Sequence, residues 1–90
     1  FAQWTDAVAD CLAKRYADEP FVRLTGSDRL PDTKNVTGTN TIEIGWAADP
    51  RTKRLRVFSA EDNLVKGASG QAVQSFNIRF GLDEPAGLPI

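Results

Sequence analysis

The sequence predicts an α+β fold with a mainly antiparallel sheet and flanking helices, on three observations. Helical spacing of apolar residues occurs near the two ends of the chain. Alternating apolar and polar residues fill the middle. Two of the alternating runs flank a proline-containing turn, which is the pattern of an antiparallel hairpin.

Taken in order, QWTDAVADCLAKRY puts Trp4, Val8 and Leu12 at i, i+4 and i+8, with Cys11 and Tyr16 alongside. That spacing predicts an amphipathic helix of about three turns. Asp6 and Asp10 early and Lys14 and Arg15 late suit its macrodipole, and Thr5 is placed to cap it. Pro20 biases Glu19 away from helix and ends the unit. FVRL, residues 21–24, reads as a short strand. TGSDRLPDTKN reads as a loop, punctuated by Gly26, Asp28, Pro31 and Asp32. VTGTNTIEIGWA is β-rich, with Val36 early in the run. Ile42, Ile44 and Trp46 share one face, and Thr41, Glu43 and Gly45 the other. ADPRTK is a turn, and RLRVFSA alternates Leu55, Val57 and Ser59 against Arg54, Arg56 and Phe58. A last helix is expected from about Gly67, carried by Ala72, Val73, Phe76 and Phe80, with Gly81 at its C-terminal end. Pro85 and Pro89 keep the tail out of helix. Two helices and three strands can cover one sheet face, so the other face calls for a partner.

Ninety residues make one small domain or a piece of a larger one. With 41% hydrophobic and 26% charged residues the chain is of globular type. A formal net charge of -1 argues against nucleic acid or an anionic membrane as the main partner. No apolar run approaches membrane-spanning length and no signal-peptide pattern opens the chain. The single cysteine fits a reducing, cytoplasmic setting. With no histidine and one cysteine, no metal site is expected. The opening FAQWTDAVAD, in a sequence without methionine, reads as a processed chain or a fragment.

Few residues offer chemistry. Cys11 is the only thiol, mid-helix and without a histidine to act as base, so it is read as a small buried apolar side chain, and no catalytic residue is assigned. Asp18, Glu19, Asp83 and Glu84 lie beside prolines and are read as solvated ends of elements. RTKRLR is read as a solvated hairpin tip, and the sequon at Asn35–Thr37 as chance. The unusual stretch is DNLVKGASGQAVQSFN, residues 62–77, where Gly67, Ala68 and Gly70 crowd a helix start and Gln71 and Gln74 follow. Such a start can form an anion nest, or can pack closely against another backbone. The amide of Gln71 offers both a donor and an acceptor to a bound amide.

SAEDNLVKGASGQAVQSFNIRFGLDEPAGL, together with YADEPFVRL and LPDTKNVTGTN upstream, resembles the carboxy-terminal signature of N-acetyl-γ-glutamyl-phosphate reductases, relatives of aspartate-semialdehyde dehydrogenase. The resemblance spans roughly Tyr16 to Leu88. Semialdehyde dehydrogenases usually carry asparagine where Gln71 stands, which favours the acetylglutamyl branch of arginine biosynthesis. A lysine-pathway reductase acting on a carrier-bound aminoadipyl phosphate has a similar tail. The resemblance implies a cytoplasmic homo-oligomeric enzyme that reduces N-acetyl-glutamyl phosphate to the semialdehyde with NADP as cofactor, through a cysteine thioester. It implies that residues 1–66 belong to the α+β catalytic and dimerisation domain. Residues 67–90 would then return to a nucleotide-binding domain that this sequence lacks. Cys11 does not stand in the family's nucleophile motif, and a dinucleotide fingerprint is absent, so the chain alone is expected to be inactive. Gly67, Ala68, Ser69, Gly70 and Gln71 are the positions implied to meet the cofactor. A non-catalytic oligomerisation module derived from such an enzyme is the other reading.

Overall fold

The computed structural model describes residues 2–90; Phe1, the first residue of the expected 1–66 unit, lies outside them. In chain order the elements are α1 (Ala2–Tyr16), β1 (Val22–Gly26), β2 (Ile42–Asp49), β3 (Arg54–Ala60) and α2 (Gly70–Arg79). A 3-10 turn at Thr33–Asn35 precedes β2, and a π turn at Val65–Ser69 leads into α2. The α+β class holds.

α1 starts at Ala2, so Thr5 lies within the helix and not at the cap position before it. Ala2 and Gln3 are good helix formers and carry the helix past the expected start. Val8, Leu12 and Tyr16 are half-buried, whereas Cys11 is exposed. The buried reading of Cys11 is therefore corrected. α1 meets the sheet chiefly at β1, and one strand is too narrow to cover more than one stripe of a helix.

The sheet has the order β1-β2-β3. β2 and β3 form the expected antiparallel hairpin, with Trp46 opposite Val57 and Glu43 opposite Ala60. Asp49 accepts hydrogen bonds from the Arg51 and Thr52 N–H groups and so shapes the turn. β1, however, runs parallel to β2, with Val22 beside Ile42 and Leu24 beside Ile44. The sheet is mixed, not mainly antiparallel. Residues 27–41 provide the long return path that a parallel neighbour needs, and a short link would have forced a hairpin. Val36 does not extend β2. It is fully buried inside that return path and helps make it rigid.

Pleating and register place Val22, Leu24, Ile42, Ile44, Trp46, Leu55 and Val57 on one face. Trp46 is buried there, Ile42, Ile44 and Leu55 are half-buried, and Val57 remains 55% exposed. The apolar face is thus only partly covered by this chain. The core proper is small: Phe21, Val36, Trp46 and Ala60. Extents of 46 × 25 × 16 Å and a radius of gyration of 14.8 Å describe an elongated body. A compact chain of this length would have a radius of about 12 Å.

α2 ends as the sequence foretells. Gly81 takes φ 70 just beyond the C-cap Phe80, a left-handed conformation that suits glycine. The Leu82 N–H donates to the Asn77 carbonyl at 2.8 Å and the Gly81 N–H to that of Ile78 at 3.4 Å. This pair of bonds is a Schellman closure.

Candidate functional site

The stretch singled out by sequence is anchored by Asp62. One carboxylate oxygen accepts the N–H groups of Leu64 (2.8 Å) and Val65 (3.1 Å). The other accepts the Gly38 N–H at 2.8 Å, which ties the turn to the loop before β2. These backbone donors, that of Gly38 foremost, hold the Asp62 carboxyl below its usual pKa. The chain then winds as a π turn, each N–H reaching back five residues. Gly67 donates to Asp62, Ser69 to Leu64 and Gly70 to Val65. The Ser69 hydroxyl also donates to the Leu64 carbonyl, at 2.9 Å. A π turn inside a helix is a local irregularity often found at functional sites.

This winding decides between the readings of the glycines. The N–H groups of Gly67, Ser69 and Gly70 are all spent within the turn, so they do not form a nest open to an anion. Gly70 is buried, and a Cβ there would overlap the Asn40 side-chain oxygen and sit 2.6 Å from the Val65 carbonyl oxygen. Close internal packing accounts for Gly70. Gly67 differs. It is exposed, and a Cβ there would meet only ordinary contacts, at 3.4 Å and beyond. Glycine inside a helical segment costs about 0.5–1 kcal/mol relative to alanine, and no close contact among the described residues repays that cost at Gly67. Ala68 and Ser69 are exposed beside it. Gln71, one residue into α2, is exposed, and its amide makes no hydrogen bond among the described residues.

Gln74, one turn further, is the opposite case. Its carbonyl accepts from the Asn40 amide at 2.9 Å and from the Lys66 ammonium. Its own amide nitrogen donates to the Glu84 carboxylate at 2.7 Å. Glu84 is half-buried in this contact, which corrects its reading as a solvated end. The Lys66 ammonium lies 5.4 Å from the centroid of the Phe21 ring. Asn77 donates to the carbonyls of Glu84 and Ala86 and straps the tail to the helix.

Sequence reasoning missed a second polar cluster. Glu43 is completely buried on the sheet face opposite the apolar one. One of its oxygens accepts from Arg23 Nη1 at 3.0 Å and Arg29 Nη2 at 2.6 Å. The other accepts from Arg29 Nη1 at 3.2 Å and the Asp32 N–H at 3.3 Å. Arg29, ahead of the other donors, holds the carboxyl down to about 2. The cluster clamps the return path onto β2. Gly45 leaves room for that path, since a Cβ there would overlap the Thr25 hydroxyl and come 2.9 Å from Pro31 Cδ. Arg23 is the register partner of Glu43, and an arginine on the neighbouring strand was the available signal.

Among the described residues no group of histidine, cysteine and carboxylate side chains is arranged to hold a metal ion, and no helix is long and apolar enough to cross a membrane.

Residues 3–63 match the family described as semialdehyde dehydrogenase, dimerisation domain, and the chain belongs to that family. Among curated relatives, the N-acetyl-gamma-glutamyl-phosphate reductase of Akkermansia muciniphila is 60% identical over 83 residues, 92% of this chain and 24% of the relative. That of Symbiobacterium thermophilum is 51% identical over 84 residues, 93% of this chain and 24% of the relative. A LysW-L-2-aminoadipate/LysW-L-glutamate phosphate reductase of Pyrococcus furiosus is 56% identical over 77 residues, 81% of this chain and 23% of the relative. The chain thus spans about a quarter of the length of these relatives.

Proposed function

We propose that this chain is the carboxy-terminal part of an NADP-dependent reductase that converts N-acetyl-glutamyl phosphate to N-acetylglutamate semialdehyde in arginine biosynthesis. In this reading the nucleophilic cysteine and the nucleotide-binding domain come from parts of the enzyme outside this chain. Residues 1–66 belong to the catalytic and dimerisation domain, and residues 67–90 lead back to the nucleotide domain. The partly covered apolar sheet face would meet a second subunit, making a homo-oligomer. The enzyme would work in the cytoplasm.

The observation that carries the site assignment is the pairing of Gly67 with Gln71. One is a glycine that no close contact among the described residues requires. The other is an amide with no hydrogen-bond partner among the described residues. Both fit a turn that something outside the chain approaches, and a nicotinamide carboxamide is complementary to the Gln71 amide, donor to acceptor and acceptor to donor. Gly67, Ala68, Ser69 and Gln71 would line the approach, while Gly70 would act by keeping the turn packed on Asn40. When bound, the nicotinamide would supply the hydride, and the residues here would orient it.

In the full-length protein, Gln71→Ala is expected to lower kcat/KM for NADPH-dependent reduction roughly ten- to a hundredfold, about 1–3 kcal/mol, with the melting temperature unchanged. A lower melting temperature with unchanged steady-state constants would sink the cofactor assignment. A second reading, the lysine-pathway reductase, is favoured by the Pyrococcus furiosus relative, at 56% identity. Turnover with a carrier-linked aminoadipyl phosphate and none with N-acetyl-glutamyl phosphate would select it.

A further inference from the structure

We infer that Gln74 is a positioning residue for the cofactor-facing turn: its single amide fixes the π turn against the loop before β2 and against the C-terminal tail. The inference rests on the reductase reading proposed above and deepens it.

A glutamine amide can accept two hydrogen bonds and donate two. Gln74 fills both acceptor sites, with Asn40 and Lys66, and uses a donor on Glu84. Each contact reaches a different segment. Lys66 is the second residue of the π turn, and its ammonium lies over the ring of Phe21, which is 1% exposed just before β1. Asn40 is fully buried two residues before β2, and its own N–H donates to the Pro89 carbonyl at 2.8 Å. Glu84 belongs to the tail. Asn40 also packs against Gly70 so closely that no Cβ fits between them. The amide of Gln74 thereby sets how far the turn stands from the sheet.

Two physical points argue for position over mere stability. Lys66 forms no ion pair within the described residues; its polar partner is the neutral Gln74 carbonyl. A carboxylate at position 74 would hold an ammonium more strongly, so the neutral amide is there for its mixed donor and acceptor pattern. The Asn40 amide, moreover, is buried and depends on Gln74 as its acceptor. Removing that acceptor leaves a buried donor unmatched at the point where Gly70 packs. The disturbance is therefore aimed at the turn. Asn77 offers the contrast, for it lies on the same helix yet grips only the tail.

The test compares four full-length variants for NADPH affinity, melting temperature and amide exchange at Gly67 and Ser69. Gln74→Leu is expected to weaken NADPH binding about tenfold and to speed exchange at both amides by a similar factor. Asn77→Ala is expected to lower the melting temperature and leave NADPH affinity as it was. Gln74→Glu alone sets a carboxylate against Glu84 and should weaken binding. Gln74→Glu combined with Glu84→Gln exchanges donor and acceptor and should restore affinity to within about threefold. NADPH binding indifferent to Gln74→Leu overturns the inference alone, as does an equal loss in Asn77→Ala or failure of the exchanged pair to recover. An unsubstituted protein that does not bind NADPH overturns the reductase reading itself.

Discussion

Replacing Glu43 by glutamine tests whether the clamp on β2 stabilises the fold through charge. The substitution is nearly isosteric, but it puts an NH2 group where one oxygen accepted. Either oxygen position serves two donors, so whichever way the new amide turns, two N–H groups face another donor. The carboxyl titrates at about 2 in the folded chain against 4.5 for an unperturbed glutamate. That difference corresponds to about 3 kcal/mol at 1.36 kcal/mol per pH unit. Water screens the arginines, which are 46% exposed, so about 2 kcal/mol is the expected loss at neutral pH. The sign follows from a folded pKa below the unfolded one. The contribution is whole above about pH 5 and disappears as pH falls through about 2. Thermal melts of the unsubstituted and Glu43→Gln proteins should therefore be separated by a constant gap between about pH 6 and 8. The gap should close toward pH 2, where a protonated Glu43 resembles the glutamine. Other carboxylates also protonate in acid, but they do so in both proteins and cancel from the difference. A gap as wide at about pH 2.5 as at pH 7 would refute the electrostatic account, and no gap at pH 7 would refute the clamp.

The glycines of the π turn should respond in opposite ways. Gly70→Ala, which overlaps Asn40 and the Val65 carbonyl, should destabilise by roughly 2–4 kcal/mol in denaturant unfolding. Gly67→Ala should be neutral or stabilising by up to about 1 kcal/mol, and equal losses at the two positions would contradict the packing described. The isolated 90-residue chain should self-associate, because Val57, Phe76 and Phe80 are 55%, 55% and 60% exposed. Sedimentation at micromolar concentration checks this, and a monomer with cooperative unfolding would count against it.

What could be read in the sequence is what local pattern determines. α1, the β2–β3 hairpin and the Gly81 closure rest on spacing within one element or across one turn, and each was legible. The direction of β1 was not, because it depends on how residues 27–41 fold back. Their shape is held by contacts distant in sequence, Glu43 to Arg29 and the burial of Val36. The same limit applies at the site. GASG announced an unusual helix entry, and the π turn at Val65–Ser69 is that irregularity. Which glycine serves packing and which is left open depended on Asn40, a residue thirty places earlier that no local pattern links to Gly70. Gln71 and Gln74 look alike in sequence, one turn apart on the same helix. Only the fold separates them: three partners converge on Gln74, and Gln71 is left facing outward. An amide held by three partners inside the chain can hold a turn in place, and an amide left open beside it is available to a ligand. The division of labour proposed for the two glutamines rests on that difference in hydrogen-bond accounting.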